Sequence, residues 1–281
     1  MIVPAHNAAE TIGRALTSLA EQDLEAPYEV IVVDDGSVDR TVEVVNTFAP
    51  SMQIRLIRQE QRGPAAARNA GVAASSGEML AFTDADCYAT RGWLAAGVQG
   101  LERAELVQGA VAPDPAAALG PWDRTLWVER ETGLYETANL FVRRRLLEEL
   151  GGFEVWLDPK VGKPIAEDVW FGWRARRAGA RTAFRADALV HHAVFPRGPL
   201  GFLDERRRLQ YFPAMASKMP ELRRQFFAAR YFLAPRTAAF DAALLGVALA
   251  ARTRSPVALG ACAPYVRLLR GRHCPTADAP R

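Results

Sequence analysis

The sequence predicts an α/β protein in which a mostly parallel sheet carries helices on both faces. Short β-branched runs alternate with helical patterns over residues 1–112, glycines follow several of the helical patterns, and acidic pairs follow two of the strands. Ligands of open α/β sheets bind beyond the carboxyl ends of the strands. The acidic pairs are therefore expected to converge on one crevice.

The strands are predicted from short apolar runs that turn residues bound. They cover 2–4, 29–33, 53–58, 79–83 and 105–111, followed by 139–142, 181–185 and 188–194. Asn7 and Glu10 predict a capping pair before the first helix, and Pro64 fits the first turn of a later one. Two further helices are predicted over 143–150 and 167–178, because a glycine follows each pattern.

The composition is that of a globular protein, with 49% hydrophobic and 24% charged residues. Three scattered cysteines, at positions 87, 262 and 274, exclude a disulfide framework and a zinc site. A reducing cytoplasm is expected, with no signal peptide, because Met1 leads directly into an apolar strand. No nucleic-acid-binding motif accompanies the arginines, so nucleic acid is not an expected partner.

The charge divides the chain into two regions. Residues 206–281 contain 14 Lys or Arg against 3 Asp or Glu, and the net charge of +3 therefore leaves −8 for the residues before them. We predict a first domain over 1–199 and a basic, apolar helical tail over 200–281. The tail contains two apolar stretches, 237–251 and 256–269, which are shorter than the roughly 18 to 20 residues that cross a bilayer.

Two interpretations of the tail remain open. A basic helix with an apolar face is typical of peripheral attachment to an anionic membrane surface. Apolar helices also pack on the body of their own domain or on a second subunit.

Acidic residues follow the strands in a regular order. Asp34 and Asp35 follow the second strand, and Asp84 and Asp86 follow the fourth. Converging carboxylates repel one another unless they hold a cation, and Mg²⁺ or Mn²⁺ bridging diphosphate oxygens meets that need. For a single pair, helix capping or a solvated loop is the alternative.

Seven segments in order resemble glycosyltransferase family 2, whose members are inverting enzymes with the GT-A fold, a Rossmann-like nucleotide-binding sheet flanked by helices. The segments are IVPAHN (2–7), VVDDGSVDRT (32–41), RGPAAARNAGVAASSGE (62–78), FTDADC (82–87), TANLFVRR (137–144), LGGF (150–153) and AEDVWFGWRARRAG (166–179). The resemblance extends over about residues 1–195, and the tail lies outside it.

For the nucleotide-diphosphate sugar donor, the resemblance implies a binding site at the strand ends. Asp35 is expected to bind the base, and Arg68 to lie near the base or the phosphates. Asp84 is expected to meet the ribose or the metal. The nucleotide pocket is expected to be lined by Pro4, His6 and Asn7.

For the metal, an Mn²⁺ or Mg²⁺ ion, the resemblance implies Asp86 as ligand, together with Asp84. His191 and His192 lie next to each other on a predicted strand and therefore face opposite sides, so only one can point into the site. His192 fits the family pattern and is the candidate third ligand. A structural role is the alternative for this histidine.

For the reaction, the resemblance implies that Asp168 is the general base that takes the proton of the acceptor hydroxyl. Glu167 is expected to orient the acceptor or to brace the helix. Asn139 and Trp170 are expected on the acceptor side.

The function implied is inverting transfer of a sugar to an acceptor hydroxyl, in cell-envelope polysaccharide or glycolipid synthesis at the inner face of the membrane. One alternative is a sugar nucleotidyltransferase, which normally has a Gly-rich, Arg-containing loop after its first strand, where this chain has 4–7 as PAHN. A second alternative is a non-catalytic nucleotide-sugar-binding protein, which would be expected to have lost part of the acidic set.

Overall fold

The computed structural model describes residues 1–48, 53–154, 166–206, 210–227 and 235–270. The chain divides into two units, 1–211 and 212–281. This division lies later than the predicted boundary at 199, since the helix that begins at Pro199 belongs to the first unit. Its Phe202 packs edge to face on Trp122 with ring centroids 5.4 Å apart.

The first unit contains a mixed sheet and its covering helices. Its strands are β1 (Ile2–Ala5), β2 (Val30–Asp35), β3 (Ile54–Gln59), β4 (Met79–Thr83), β5 (Cys87–Ala89), β6 (Leu106–Pro113), β7 (Asn139–Arg143) and β8 (Thr182–His192). Its helices are α1 (Ile12–Ala20), α2 (Thr41–Phe48), α3 (Pro64–Ala74), α4 (Trp93–Leu101), α5 (Arg144–Glu149), α6 (Glu167–Arg177) and α7 (Pro199–Arg206).

The strand order is β3-β2-β1-β4-β7-β6-β8-β5. Strands β1 to β4 are parallel to one another, β7 runs antiparallel to both β4 and β6, and β6 is parallel to β8. The predicted α/β class is confirmed. In this topology the carboxyl ends of β1, β2 and β4 meet at one edge of the sheet, which is where the predicted acidic residues lie.

Glycines allow the helices to approach the sheet closely. A Cβ atom at Gly71 of α3 would lie 2.6 Å from the Ile2 side chain, and one at Gly97 of α4 would lie 2.1 Å from the Phe141 ring. Ile2 and Phe141 are both almost completely buried. Side chains larger than hydrogen at these two positions would force the helices away from the strands.

One prediction about the strands is corrected, and one strand was missed. The segments 181–185 and 188–194, predicted as separate strands, belong to the single strand β8. Gly109 of β6 pairs with Arg185 and Ala110 pairs with Leu189, so the three residues between Arg185 and Leu189 form a bulge. Strand β5 was not predicted, because three residues carry too little pattern.

The predicted capping pair is also wrong. Helix α1 begins at Ile12, after Thr11, which makes no side-chain cap. Asn7 instead adopts a left-handed φ of 51°, and its side-chain oxygen accepts a hydrogen bond from the Val38 N–H (2.9 Å). The prediction for Pro64 at the start of a helix is confirmed.

The second unit is helical. Its elements are α8 (Phe212–Lys218), α9 (Leu222–Phe226), α10 (Pro235–Thr253), a 3-10 helix (Pro256–Cys262) and α11 (Ala263–Arg270). Gly246 lets α10 approach the 3-10 helix, since a Cβ there would lie 2.6 Å from the Ala258 carbonyl oxygen. None of the helices in the described part of the chain combines the length and the apolar character needed to span a bilayer.

Candidate active site

A cavity of about 660 Å³ lies at the carboxyl ends of the parallel strands. Seven of the residues predicted to bind donor or metal line it: Pro4, His6, Asn7, Asp35, Arg68, Asp84 and Asp86. Of the strand-end acids expected to converge on one crevice, Asp35, Asp84 and Asp86 line this cavity and Asp34 does not. Pro4 lies in β1, Arg68 lies in α3, and the others follow or end a strand.

The turn after β1 is held by the ring of His6. Nδ1 of His6 donates to the Asp35 carbonyl oxygen (2.8 Å), and Nε2 accepts from the Asn7 side-chain amide (3.1 Å) and from the Gln61 side-chain amide (3.2 Å). This pattern places the ring proton on Nδ1. The imidazole therefore joins the turns that follow β1, β2 and β3 at the cavity wall.

The two aspartates at the end of β2 have different hydrogen-bond partners. The Asp35 carboxylate accepts hydrogen bonds from the Gln59 side chain (2.7 Å) and from the backbone N–H groups of Arg62 (2.8 Å) and Gly63 (2.8 Å). Asp35 thus fixes the segment that leads into α3, and it retains one oxygen with spare acceptor capacity in the cavity. Asp34 accepts from the Ser37 N–H (3.2 Å) and lies 3.5 Å from Nε of the Arg58 guanidinium, so it serves the turn.

Arg68 connects the strand-end acids to α6. Its buried guanidinium donates to Glu167 Oε1 (2.9 Å) and to Asp84 Oδ1 (3.1 Å). Burial acts to lower the pKa of Arg68, but the charges of Asp84, Glu167 and Asp168 outweigh it and raise the pKa. Arg68 therefore stays cationic and holds together the two acidic groups that the sequence assigns to donor and acceptor.

Asp168 lies in the first turn of α6 and is partly buried. Burial, then the charge of Glu167, raises its pKa to about 8, and the opposing charge of Arg68 limits the rise. The helix begins after Ala166, which has a left-handed φ of 67°. A non-glycine residue in this region is held there by its surroundings, and such residues cluster at functional sites.

Residues of helix α6 pack tightly against the segment that precedes β7. A Cβ at Gly172 would lie 2.0 Å from the Tyr135 ring, and Nε1 of Trp173 donates to the Gly133 carbonyl oxygen (3.0 Å). The helix that carries Glu167 and Asp168 is therefore fixed against the segment before β7. A general base requires such fixed placement.

Among the described residues, Asp86 and His192 bring together ligand atoms of the kind that bind a divalent metal. His192 Nε2 lies 3.5 Å from Asp86 Oδ2, and ligand atoms of Asp86, Cys87 and His192 all lie within 4.8 Å of one another. His192 Nδ1 lies 2.6 Å from the Ala193 carbonyl oxygen, to which it can donate, which leaves Nε2 as the ligand atom. Burial, with the neighbouring charge of Asp84, raises the pKa of Asp86.

The thiol of Cys87 does not fit a hard cation. It is fully buried, and burial raises its pKa well above the usual range, so it stays protonated. Carboxylate oxygens and an imidazole nitrogen suit Mn²⁺ or Mg²⁺ better than a thiol does. Asp86 and His192 therefore fit the predicted metal, whereas Asp84, which accepts a hydrogen bond from Arg68, is not part of this group and stays a predicted ligand.

Asn139 requires a correction. Its side chain is completely buried, and its amide donates to the carbonyl oxygens of Ala110 and Ala188, both at 2.7 Å, while its oxygen accepts from Trp93 Nε1 (2.8 Å). These bonds satisfy carbonyl groups at the bulge between β6 and β8. A side chain with no exposed surface does not contact an acceptor, so the acceptor-side prediction for Asn139 is wrong.

The other acceptor-side residues stay predictions. Glu167 is buried against Arg68, which favours its bracing role. Trp170 is partly exposed on α6, and its indole N–H donates to Glu154. Neither residue lines the cavity described above.

Among the residues that line the cavity, sequence reasoning missed Arg124 and Phe195. Arg124 lies in the irregular segment 113–130, where a single arginine has no pattern. Phe195 follows β8 by three residues. The one available signal was that Arg124 lies between two tryptophans, Trp122 and Trp127, in that segment.

The glycosyl transferase family 2 model matches residues 1–153. Glycosyltransferase AglE of Haloferax volcanii is 34% identical over 214 residues, which are 71% of this chain and 68% of that protein. The chain is also similar to two further curated relatives, of whose length it covers 42%.

Two solved structures share the fold. S. aureus TarS 1–349 in complex with UDP-GlcNAc has a TM-score of 0.56 and 18% identity, covering 96% of this chain and 91% of that one. The mannosyltransferase PcManGT of Pyrobaculum calidifontis, in complex with GDP-Man and Mn²⁺, has a TM-score of 0.54 and 24% identity, covering 96% and 86%.

Proposed function

Because this chain belongs to glycosyl transferase family 2 and is a glycosyltransferase of the GT-A fold, we propose that it transfers a sugar from a nucleotide-diphosphate donor to an acceptor hydroxyl with inversion. The observation that carries this proposal is the bridge that Arg68 makes between Asp84 and Glu167. It links α6, the helix that carries the proposed base Asp168, to the end of β4 at the donor cavity.

The donor occupies the cavity at the ends of β1, β2 and β4. The free acceptor capacity of Asp35 suits an N–H group of the base, and the turn formed by Pro4, His6 and Asn7 lines the nucleotide side. The complexes of TarS with UDP-GlcNAc and of PcManGT with GDP-Man support a nucleotide sugar as the ligand class. Asp84 faces the ribose or the metal.

Asp168 takes the acceptor proton. In the free protein its raised pKa keeps the carboxyl group protonated below about pH 8, so it acts as a base in its deprotonated form. Attack of the acceptor oxygen opposite the departing diphosphate inverts the anomeric configuration. Glu167, held by Arg68, keeps the helix in place.

The metal site consists of Asp86, Asp84 and His192, and the Mn²⁺ in the PcManGT complex supports a divalent cation. When bound, such an ion supplies positive charge to the diphosphate oxygens. His192 presents Nε2 because Nδ1 is engaged with the backbone. Asp86 extends from the end of β4 into the same cavity as Asp84.

Neither alternative function is favoured. The relatives are named glycosyltransferases, which disfavours a nucleotidyltransferase. Asp35, Asp84, Asp86 and Asp168 are all present, which disfavours a binding protein without activity.

A donor screen tests the proposed function. We expect one class among UDP-, GDP- and dTDP-sugars to raise the thermal unfolding midpoint in the presence of Mn²⁺ and to be hydrolysed slowly, because a ligand that binds only the folded state stabilises it. Nucleoside monophosphates are the comparison. The absence of protection and of hydrolysis for every donor class would contradict the proposal.

We further propose that the tail holds the enzyme at the inner face of a membrane, close to a lipid-linked or envelope acceptor. The support is the +11 charge balance of 206–281 together with exposed apolar side chains on α10 and the 3-10 helix. The exposed residues are Leu244, Leu245, Val247, Leu249, Val257 and Leu259. Basic residues and exposed apolar side chains on helices are the combination that anionic interfaces bind.

Flotation with liposomes tests the tail. We expect the full chain to float with vesicles that contain an anionic lipid, less at high salt, and not with neutral vesicles. Leu245→Glu and Val257→Glu should reduce flotation severalfold, since these side chains are 65% and 83% exposed. The matched control is Val38→Glu, 91% exposed in the first unit, which should float as the wild type does. Equal flotation of all variants would overturn the membrane proposal.

A further inference from the structure

Arg124 forms one wall of the cavity together with Phe195. The two residues pair through antiparallel backbone hydrogen bonds, N–H of each to the carbonyl of the other, both at 2.9 Å. The Arg124 guanidinium carbon lies 4.5 Å from the centre of the Phe195 ring. A guanidinium stacked in this way has its orientation fixed, with its N–H groups directed outward in the plane of the fork.

More acidic than basic side chains line the cavity. The acidic residues are Glu10, Asp35, Asp39, Asp84 and Asp86, and the arginines are Arg68 and Arg124. Arg68 is already bonded to Asp84 and Glu167. Within the described residues, Arg124 has no acidic partner within 4.0 Å, although its charge acts on Asp86.

One donor of Arg124 has no partner at all in the described residues. Its Nε atom is buried without a hydrogen bond. A buried donor left unsatisfied is costly, and charged donors more so. A planar cation with unused donors beside a candidate metal site is suited to an anion with several oxygens, and diphosphate is such an anion.

We propose that Arg124 binds the diphosphate of the donor and stabilises the negative charge that forms on it during transfer. This inference rests on the proposed function. In the transfer step the acceptor oxygen bonds to the anomeric carbon, the bond from that carbon to the diphosphate oxygen breaks, and its electron pair stays on the oxygen. The acceptor proton goes to Asp168, and Arg124 faces the charge on the leaving group.

Phe195 is the positioning residue for this arginine. It contacts the guanidinium through its ring, and it fixes the backbone of the segment around residue 124 through the paired hydrogen bonds. It has no polar group of its own for the donor. Its role is therefore to hold the plane of Arg124 toward the cavity.

Calorimetric binding separates a diphosphate contact from a structural role. The probes are UDP, GDP and dTDP with Mn²⁺, and the monophosphate of whichever base the wild type binds most tightly. We expect Arg124→Gln to weaken diphosphate binding by about tenfold or more, since a lost hydrogen bond between charged groups has that order of effect. Monophosphate binding should change less than about threefold. Arg124→Lys keeps the positive charge but loses the planar guanidinium. Its affinity for the diphosphate should lie between those of the wild type and Arg124→Gln.

Arg145→Gln is the control, because it removes one positive charge from a side chain 89% exposed and outside the cavity lining. It should bind both probes as the wild type does. Equal affinity of wild type and Arg124→Gln for the diphosphate would overturn this inference alone, and so would an equal loss for both probes. A wild type that binds no diphosphate would overturn the proposed function as well. Should the Gln variant fail to fold, Arg124→Lys carries the same comparison.

Discussion

Replacing Asp168 with Asn is expected to reduce the rate of sugar transfer by about 10² to 10⁴-fold, the usual effect of removing a general base. Donor binding in the presence of Mn²⁺ should stay within about twofold of the wild type, because the base acts on the acceptor and not on the nucleotide. The measurement is steady-state transfer on the donor that the screen identifies, with calorimetry for the binding. Glu149→Gln is the control, since it removes a carboxylate that is 57% exposed on α5 and lies outside the cavity lining.

The pH dependence gives a second measure of the same group. The folded, ligand-free protein has a pKa of about 8 for Asp168, so kcat/KM for the wild type should rise with pH and level off above about pH 8. A profile that is flat from pH 6 to pH 9, or a variant that turns over at the wild-type rate, would show that another residue is the base.

Stability should change in the opposite direction from activity. The folded pKa lies above the ordinary value of 3.8, so between about pH 4 and pH 8 the folded state binds a proton that the unfolded state has lost. The stability contributed by this group is therefore greatest near pH 4 and falls as the pH rises to 8. In denaturant titrations without metal, Asp168→Asn should match the wild type at pH 4 and be more stable, by roughly 1 kcal/mol or more, at pH 9.

The sequence predicted the donor side of the site because the information there is local. Strand ends are marked by β-branched runs that stop, and parallel strands end at the same edge, so Asp35, Asp84 and Asp86 had to converge once the sheet was parallel. The positions of these residues followed from pattern and topology alone.

The errors arose where distant contacts decide the local structure. Asn139 was assigned to the acceptor side from its motif, but three hydrogen bonds from elements far away in the chain hold it in the core. Asn7 and Glu10 fit a capping pair by spacing, yet the Asn7 amide is engaged by residue 38 of another turn. The bulge in β8 is likewise set by its partner β6.

Arg124 was missed for the same reason, because distant contacts determine its position. Apart from the two flanking tryptophans, nothing in the residues near it distinguishes it from a surface arginine. Its pairing with Phe195, 71 positions later, brings it to the cavity. A functional side chain on an irregular segment is recognised only when the fold supplies its neighbours.

Replacing Asp86 with Ala is expected to abolish the effect of Mn²⁺ on nucleotide diphosphate binding. In the wild type we expect Mn²⁺ to increase the affinity by about tenfold or more, because the ion would neutralise both the diphosphate and the crowded carboxylates of Asp84 and Asp86. Asp86 is central to the site, since it faces His192 Nε2 at 3.5 Å and lines the donor cavity. The measurement is calorimetric titration of the diphosphate with Mn²⁺ and with a chelator.

Two further variants distinguish the loss of a metal ligand from the loss of a negative charge. His192→Ala should reduce the Mn²⁺ effect only in part, because the carboxylates of Asp84 and Asp86 remain as oxygen ligands for the ion. Glu10→Gln removes one negative charge from the same cavity lining and should leave the Mn²⁺ effect intact, since a cation held by specific oxygens is not held by net charge alone. Equal diphosphate affinity in the wild type with and without Mn²⁺, or an undiminished Mn²⁺ effect in Asp86→Ala, would place the metal elsewhere. Equal losses in Asp86→Ala and Glu10→Gln would instead mean that the cavity attracts cations only through its overall charge.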